Sequence, residues 1–204
     1  MVLSTATPDE TAELTWEIAQ LFPAQGHWSE EEYLALDTNH LVEFSQGQLE
    51  FLPLPTFSHQ RLVALLYRLL SGFVEERGLG VVMFAPLRIR LGQGKFREPG
   101  LVFMAAEHAD RLGEKFWQGA DLVMEIVSPD DPVRDKVTKR REYAQAGIPE
   151  YWIVDPTEAS ITVLTQRGQE YALHGEFPAG EAASSVLLEG FKVDVGDVFS
   201  EASR

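Results

Sequence analysis

The chain has no cysteine among its 204 residues. That absence removes disulfides, thiolate nucleophiles and zinc–sulfur sites together. Basic residues are scarce: 17 Lys and Arg against 32 Asp and Glu leave a formal charge of −15. Proteins that hold nucleic acid tightly and without sequence preference carry a basic footprint. The global field therefore argues against that function, while a local basic patch or a metal-dependent site stays open. Long apolar runs are missing too. None approaches the roughly 20 residues that span a bilayer, so no membrane partner is expected. The opening stretch MVLSTATPDETAEL turns acidic at once, with no basic flank or cleavage pattern. No secretory leader is expected from it, and a bacterial-type cytoplasmic location is. What is present is 45% hydrophobic content, enough for one good core in a chain slightly short for two ordinary domains.

Helix-start chemistry recurs along the chain. Thr7-Pro8-Asp9-Glu10 places Thr at the N-cap, Pro at N1 and Glu at N3, opening a helix that ends before Phe22-Pro23. Residues 1–28 are accordingly expected as an N-terminal helical extension and 29–204 as one domain. Ser29-Glu30-Glu31-Glu32 is a second capping box, for a short helix through Leu36. The runs 41–46 and 48–52 straddle Gly47 and predict a hairpin. Ser58 is read as the cap of the longest helix, to Arg77, with Leu62, Leu65, Leu66, Leu69 and Phe73 on one buried face and Gly78 and Gly80 closing it. Leu87, Ile89 and Leu91 alternate with Arg88 and Arg90, and Gly92-Gln93-Gly94 turns the chain into a returning strand from Phe96 to Met104. Residues 105–119 are polar, with room for a short helix. Asp121–Val127 is a strand apolar on both faces except at Glu125; Asp131-Pro132 starts a helix that Gly147 ends, and 150–155 is another buried strand. Strand, helix and strand over 121–155 predict a right-handed βαβ crossover with parallel strands. Residues 160–173 and 184–193 are expected to finish the sheet as antiparallel strands.

Glu125 is the residue that most needs an explanation. An unpaired buried carboxylate costs several kcal/mol, so it requires a partner, a metal or a proton. Glu125 lies about 10 Å before the strand end at the usual strand rise. Lys139 lies about 12 Å into the following helix. The two levels nearly match, so Lys139 can meet Glu125 if its face points at the sheet. The bland alternative is a pair that merely orders the core. Lys136, Arg140 and Arg141 are expected as a solvated stripe balancing Asp130, Asp131 and Asp135. Tyr151 and Trp152 are assigned to core packing or a subunit contact, and Asp155-Pro156 to a strand-ending turn.

The stretch Asp121-Leu122-Val123-Met124-Glu125-Ile126-Val127-Ser128-Pro129, then Lys139-Arg140-Arg141-Glu142-Tyr143, then Ala146-Gly147-Ile148-Pro149-Glu150-Tyr151-Trp152-Ile153-Val154-Asp155-Pro156, resembles a large bacterial family of restriction-endonuclease-like proteins in the PD-(D/E)XK nuclease superfamily. Val42-Glu43 with Gly47, Ser58-His59-Gln60 and Ala85-Pro86-Leu87 extend the resemblance over most of 30–200. It implies an α/β, three-layer fold: a central mixed sheet flanked by helices. It implies Glu125 as the acidic metal ligand, the Ile126 carbonyl as a further ligand, and Lys139 as the base supplied from the next helix, positioning the attacking water or offsetting the developing charge, since Val127 stands at the usual lysine position. The activity implied is Mg²⁺- or Mn²⁺-dependent hydrolysis of DNA phosphodiesters with one or two ions, in a homodimer. Glu43 matches a family glutamate and is either a further carboxylate or an edge-strand surface charge. His59 matches a helix-start histidine and is either a capping or packing residue or a direct participant. One departure matters. The family's "PD" aspartate is Gly100 here, after Glu98-Pro99, so the ion is expected to bind weakly if at all. Three explanations stay open: Glu98, two residues earlier on the same face, substitutes; the metal shell is altered; or the chain is an inactive copy kept for binding.

Overall fold

The computed structural model describes residues 22–38 and 40–202. The helix expected from Thr7 lies outside the described residues. Ser29 caps α1 (Glu30–Leu34): its side chain accepts from the Glu32 N–H while the Glu32 carboxylate accepts from the Ser29 N–H. The helix stops two residues before Leu36, at a C-cap on Ala35. The Tyr33 hydroxyl donates to the Val42 carbonyl at 2.8 Å and so ties α1 to the expected hairpin, β1 (Val42–Ser45) and β2 (Gln48–Phe51). Gly47 turns that hairpin at φ +81°, where a Cβ would stand 2.6 Å from the Gly26 carbonyl oxygen. Only glycine fits. The Gly26 N–H returns a 2.8 Å bond to the Gly47 carbonyl, so residues ahead of α1 pack on the hairpin.

The long helix α2 (Phe57–Arg77) is capped by Thr56, whose hydroxyl accepts from the His59 N–H, and not by Ser58. Thr56 keeps the extended backbone an N-cap needs, while Ser58 already lies in the first turn. The buried stripe runs through Leu62, Leu66 and Leu70. Leu69 faces outward instead, because the stripe follows the i, i+4 row. Next comes β3 (Gly80–Phe84), unforeseen because Gly80 reads as a helix stop and Val82 alone is buried.

The single returning strand expected over 96–104 is two strands. After β4 (Ile89–Gly92), β5 (Lys95–Arg97) pairs with β4 and β1, whereas β6 (Leu101–Ala105) pairs with β3 and with the strand Leu122–Ile126. The chain changes sheets at Glu98-Pro99-Gly100, where Pro99 has no N–H to give a ladder. A 3₁₀ turn (Ala106–Arg111) and the short β7 (Trp117–Gln118) precede β8 (Leu122–Ile126).

The strand–helix–strand unit is present. Asp131 caps the helix through a bond from the Arg134 N–H. The helix carries a π turn (Arg134–Lys139) before α3 (Arg140–Gln145), and β9 (Glu150–Asp155) pairs in parallel with β8. The region 160–173 is a hairpin, β10 (Ser160–Arg167) with β11 (Glu170–Pro178). The strand expected over 184–193 does not join the sheet. Instead β12 (Ala182–Ser184) and β13 (Lys192–Asp194) form a separate ribbon before α4 (Val195–Ala202). Residues between them are bent around the Glu150 carboxylate, which accepts from the backbone of Val186 and Leu187.

The result is the expected α/β layering, with one addition. A mixed six-stranded sheet, β11-β10-β9-β8-β6-β3, forms the centre. Leu122, Met124 and Ile126 pack on the α2 side, while Val123 and Val127 pack on the α3 side with Tyr143. A second sheet, β2-β1-β5-β4-β7, closes over its own core of Tyr33, Phe44 and Phe96. Among the described residues no helix is long and apolar enough to cross a membrane.

Candidate active site

Alternation along β8 sends Glu125 to the same side as Val123 and Val127, toward the helix that follows. There the expected meeting occurs. Lys139 Nζ donates to Glu125 Oε1 at 2.8 Å, and the Tyr143 hydroxyl donates to the same oxygen at 2.6 Å. The Gly100 N–H donates to Oε2 at 3.1 Å. Glu125 and Lys139 are 5% and 4% exposed. Burial raises the Glu125 carboxyl above its ordinary value; Lys139 opposes that, while Asp135 and Glu43 add to it. Burial alone would depress the Lys139 ammonium, but the Glu125, Glu43 and Asp135 carboxylates outweigh it and raise its pKa. Lys139 therefore stays charged.

Asp135 corrects the sequence expectation. It is buried in the site, not part of a solvated stripe, and its Oδ1 lies 3.1 Å from Lys139 Nζ. Residues four apart share a helix face. Asp135 and Lys139 thus share the inner face, while Lys136 points to Asp155 and Glu158. Arg140 and Arg141 are exposed, as expected. The Tyr151 hydroxyl holds the Asp135 carbonyl at 3.0 Å.

Glu43 is 0% exposed, so the edge-strand alternative falls. Its strand β1 lies inside the second sheet, between β2 and β5. Glu43 Oε2 meets Arg134 and Arg97, and Oε1 lies 3.7 Å from Lys139 Nζ. Arg97, 2% exposed, grips Glu142 with two bonds of 2.8 and 3.0 Å. Neither Arg97 nor Glu142 was singled out in the sequence. An arginine ending an apolar strand and a glutamate three residues past Lys139 were the available signals.

The register of β6 against β8 pairs Leu101 with Met124. One residue further, it sets Gly100 against Glu125. A Cβ at Gly100 would stand 3.8 Å from Glu125 Oε2, 3.1 Å from the Met124 carbonyl oxygen and 3.2 Å from Ile126 Cδ1. Glu98 is brought elsewhere. Its Oε1 meets Arg88 Nε at 3.4 Å, its own N–H donates to Glu43 Oε1, and its Oε2 has no hydrogen-bond partner. Burial pushes the Glu98 carboxyl up to about 7, against the pull of Arg88 and with Glu43 adding. His59, half-buried at the start of α2, has a buried Nδ1 without a partner. Burial lowers its pKa and Lys139 adds to that, opposed by Asp135 and the nearby Ile126 backbone.

The donors fit a hard divalent cation in kind: the Glu125 carboxylate, the Ile126 carbonyl, and a glycine cradle beside them from which one further carboxylate would reach Glu125. The fit stops one ligand short. Among the described residues no three His, Asp or Glu side chains already converge as a shell.

The sequence profile of a family described as "Putative restriction endonuclease" matches residues 30–196. A comparison with curated proteins found no match. Among solved structures, a putative nuclease from Anabaena variabilis superposes with a TM-score of 0.72 at 18% identity, over 88% of this chain and 99% of that one. The shared fold is restriction-endonuclease-like.

Proposed function

The chain belongs to the "Putative restriction endonuclease" family, and on that premise we propose that it hydrolyses DNA phosphodiesters with a divalent metal ion, impaired at Gly100. Mg²⁺ or Mn²⁺ would be held by Glu125 and the Ile126 carbonyl. Such an ion supplies Lewis acidity that polarises the scissile phosphate and activates an attacking water. The chain's own groups do the rest. Lys139, held as an ammonium by three carboxylates, acts as a positive charge and hydrogen-bond donor, not as a base. It offsets charge developing on the phosphoryl oxygens. Tyr143 and the Gly100 N–H fix the Glu125 carboxylate. Glu43 holds Arg134 and Arg97 around it. Burial of the pair keeps bulk solvent from screening its charges.

One observation carries this proposal: the 2.8 Å Lys139–Glu125 contact beside a glycine whose absent side chain would start 3.8 Å from Glu125 Oε2. Nicking of supercoiled plasmid in Mg²⁺ or Mn²⁺ tests it. Slow nicking is expected for the parent, at least roughly ten-fold faster nicking for Gly100→Asp, and none for Glu125→Ala. Gly100 lacks a left-handed φ, so aspartate needs only a few tenths of an ångström of relief. Cleavage that survives unchanged in Glu125→Ala sinks the proposal.

A second reading is a binding protein that has lost hydrolysis. Both Glu125 oxygens are already engaged, and the charge of −15 opposes close approach of DNA. A folded Gly100→Asp that neither binds metal nor nicks DNA selects it. A homodimer belongs to either reading, and sedimentation equilibrium tests it.

A further inference from the structure

We propose that β3 is the interface of a homodimer: the outer edge of the central sheet pairs antiparallel with the same strand of a second copy, about a two-fold axis at Val82. This goes beyond the chemistry at Glu125 and does not depend on it. β3 ends the order β11-β10-β9-β8-β6-β3, so one of its sides has no neighbouring strand among the described residues. The Ala106 N–H donates to the Leu79 carbonyl at 2.8 Å, at the head of the β3–β6 pairing. Antiparallel alternation from that bond turns the backbone of Val81 and Met83 toward β6 and that of Val82 to the open side. An unpaired row of N–H and C=O groups is a template for another strand. The opposite edge of the same sheet is guarded against this. There β11 carries Glu170, His174 and Glu176, ends at Pro178, and meets β10 through a shifted register. β3 reads Gly-Val-Val-Met-Phe, with no charge and no proline, in unbroken register with β6.

The strand complements itself, and this selects a second copy as the occupant. Pairing centred on Val82 sets Val81 opposite the partner's Met83, and Met83 opposite the partner's Val81, on one face of the sheet. Both side chains are 40% exposed in the single chain. On the α2 face the same register sets Gly80 opposite the partner's Phe84. Gly80 has no room for a side chain, since a Cβ would stand 2.0 Å from the Met104 carbonyl oxygen. An aromatic ring from the neighbouring strand covers such bare backbone. Phe84 is 45% exposed, and the Tyr67 ring holds it edge-on at 4.9 Å. Charge points the same way. Two chains of −15 repel each other, and an uncharged edge is where they can approach. The two-fold makes the contact isologous, so association closes at two copies. Six strands from each then run as one sheet.

Sedimentation equilibrium of the full chain tests this. The parent is expected at twice the mass of one chain. Val81→Glu with Met83→Glu sets like charges opposite each other twice over, and this variant is expected as a monomer. Val81→Lys with Met83→Lys should behave the same way. Mixing the two variants sets opposite charges against each other, and a dimer with one copy of each is expected to return. A parent that stays monomeric at about 100 µM overturns the proposal. So do charged variants that remain dimeric, because the interface then lies elsewhere, and a mixture that stays monomeric. If a charged variant fails to fold, hydrogen exchange in the parent decides. The amides of residues 80–84 should exchange at least roughly ten-fold faster once the dimer is diluted to monomer. Equal rates in the two forms overturn the pairing.

Discussion

Glu125 and Glu150 are both buried carboxylates, on the adjacent parallel strands β8 and β9, yet their surroundings differ in kind. Glu150 is met by four neutral donors: the Trp152 indole at 2.6 Å, the Ser185 hydroxyl at 2.7 Å, and the Val186 and Leu187 N–H groups at 2.7 and 2.8 Å. Those bonds satisfy both oxygens and pin a loop against the sheet. Glu125 is met by an ammonium, a phenol and a single N–H, with two more carboxylates sharing the ammonium. A buried carboxylate is thus no sign of a site by itself. Fixed dipoles around it make an anchor; titratable charges gathered around it make a place where chemistry can happen.

The largest expected effect is on the anchor. Glu150→Ala strands four donors inside the protein and should cost about 3–5 kcal/mol. Urea denaturation reads that loss, and Mn²⁺ titration should show no change in metal binding. A cost under about 1 kcal/mol would mean the loop does not depend on Glu150. Next comes Glu98, a third buried carboxylate with one cation at 3.4 Å and one oxygen unmet. Its pKa of about 7 lies above the ordinary 4.5, so the folded state binds the extra proton between those values. Stability should therefore fall as pH rises through that window and level off above about 7. Glu98→Gln should remove the slope, gaining up to about 3 kcal/mol at pH 8 and nothing below pH 4. A pH–stability curve parallel to the parent's would show that Glu98 ionises freely. The smallest effect is expected at the site itself. Glu125→Gln should cost about 1 kcal/mol, because Lys139 keeps Asp135 and Glu43 as partners, while nicking is lost. If matched Gln substitutions at 125 and 150 cost the same, the distinction between anchor and site collapses.

Much of the site was legible before the fold. Glu125 interrupts an apolar run, and strand rise against helix rise places Lys139 at its level. Glu150 escaped notice because it stands at a strand's beginning, where a charge is unremarkable. Asp135 stands four residues before Lys139, on its helix face at regular spacing. Next to Asp130 and Asp131 at a helix start, however, it reads as one more solvated charge, and only the sheet packed on that face shows otherwise. Glu43 read equally well as a surface charge, since nothing in its hairpin reveals that β5 will pair with β1.

Local chemistry determined the elements: the Ser29 box, the Gly47 turn, the cap at Asp131 and the carboxylate in need of a partner follow from hydrogen bonds and periodicities within a few residues. Tertiary pairing decided the rest. The crossing at Pro99 splits one stretch between two sheets, sets Gly100 against Glu125 and closes the second sheet over Glu43. A strand's neighbours are chosen by contacts dozens of residues away, and no window of sequence contains them.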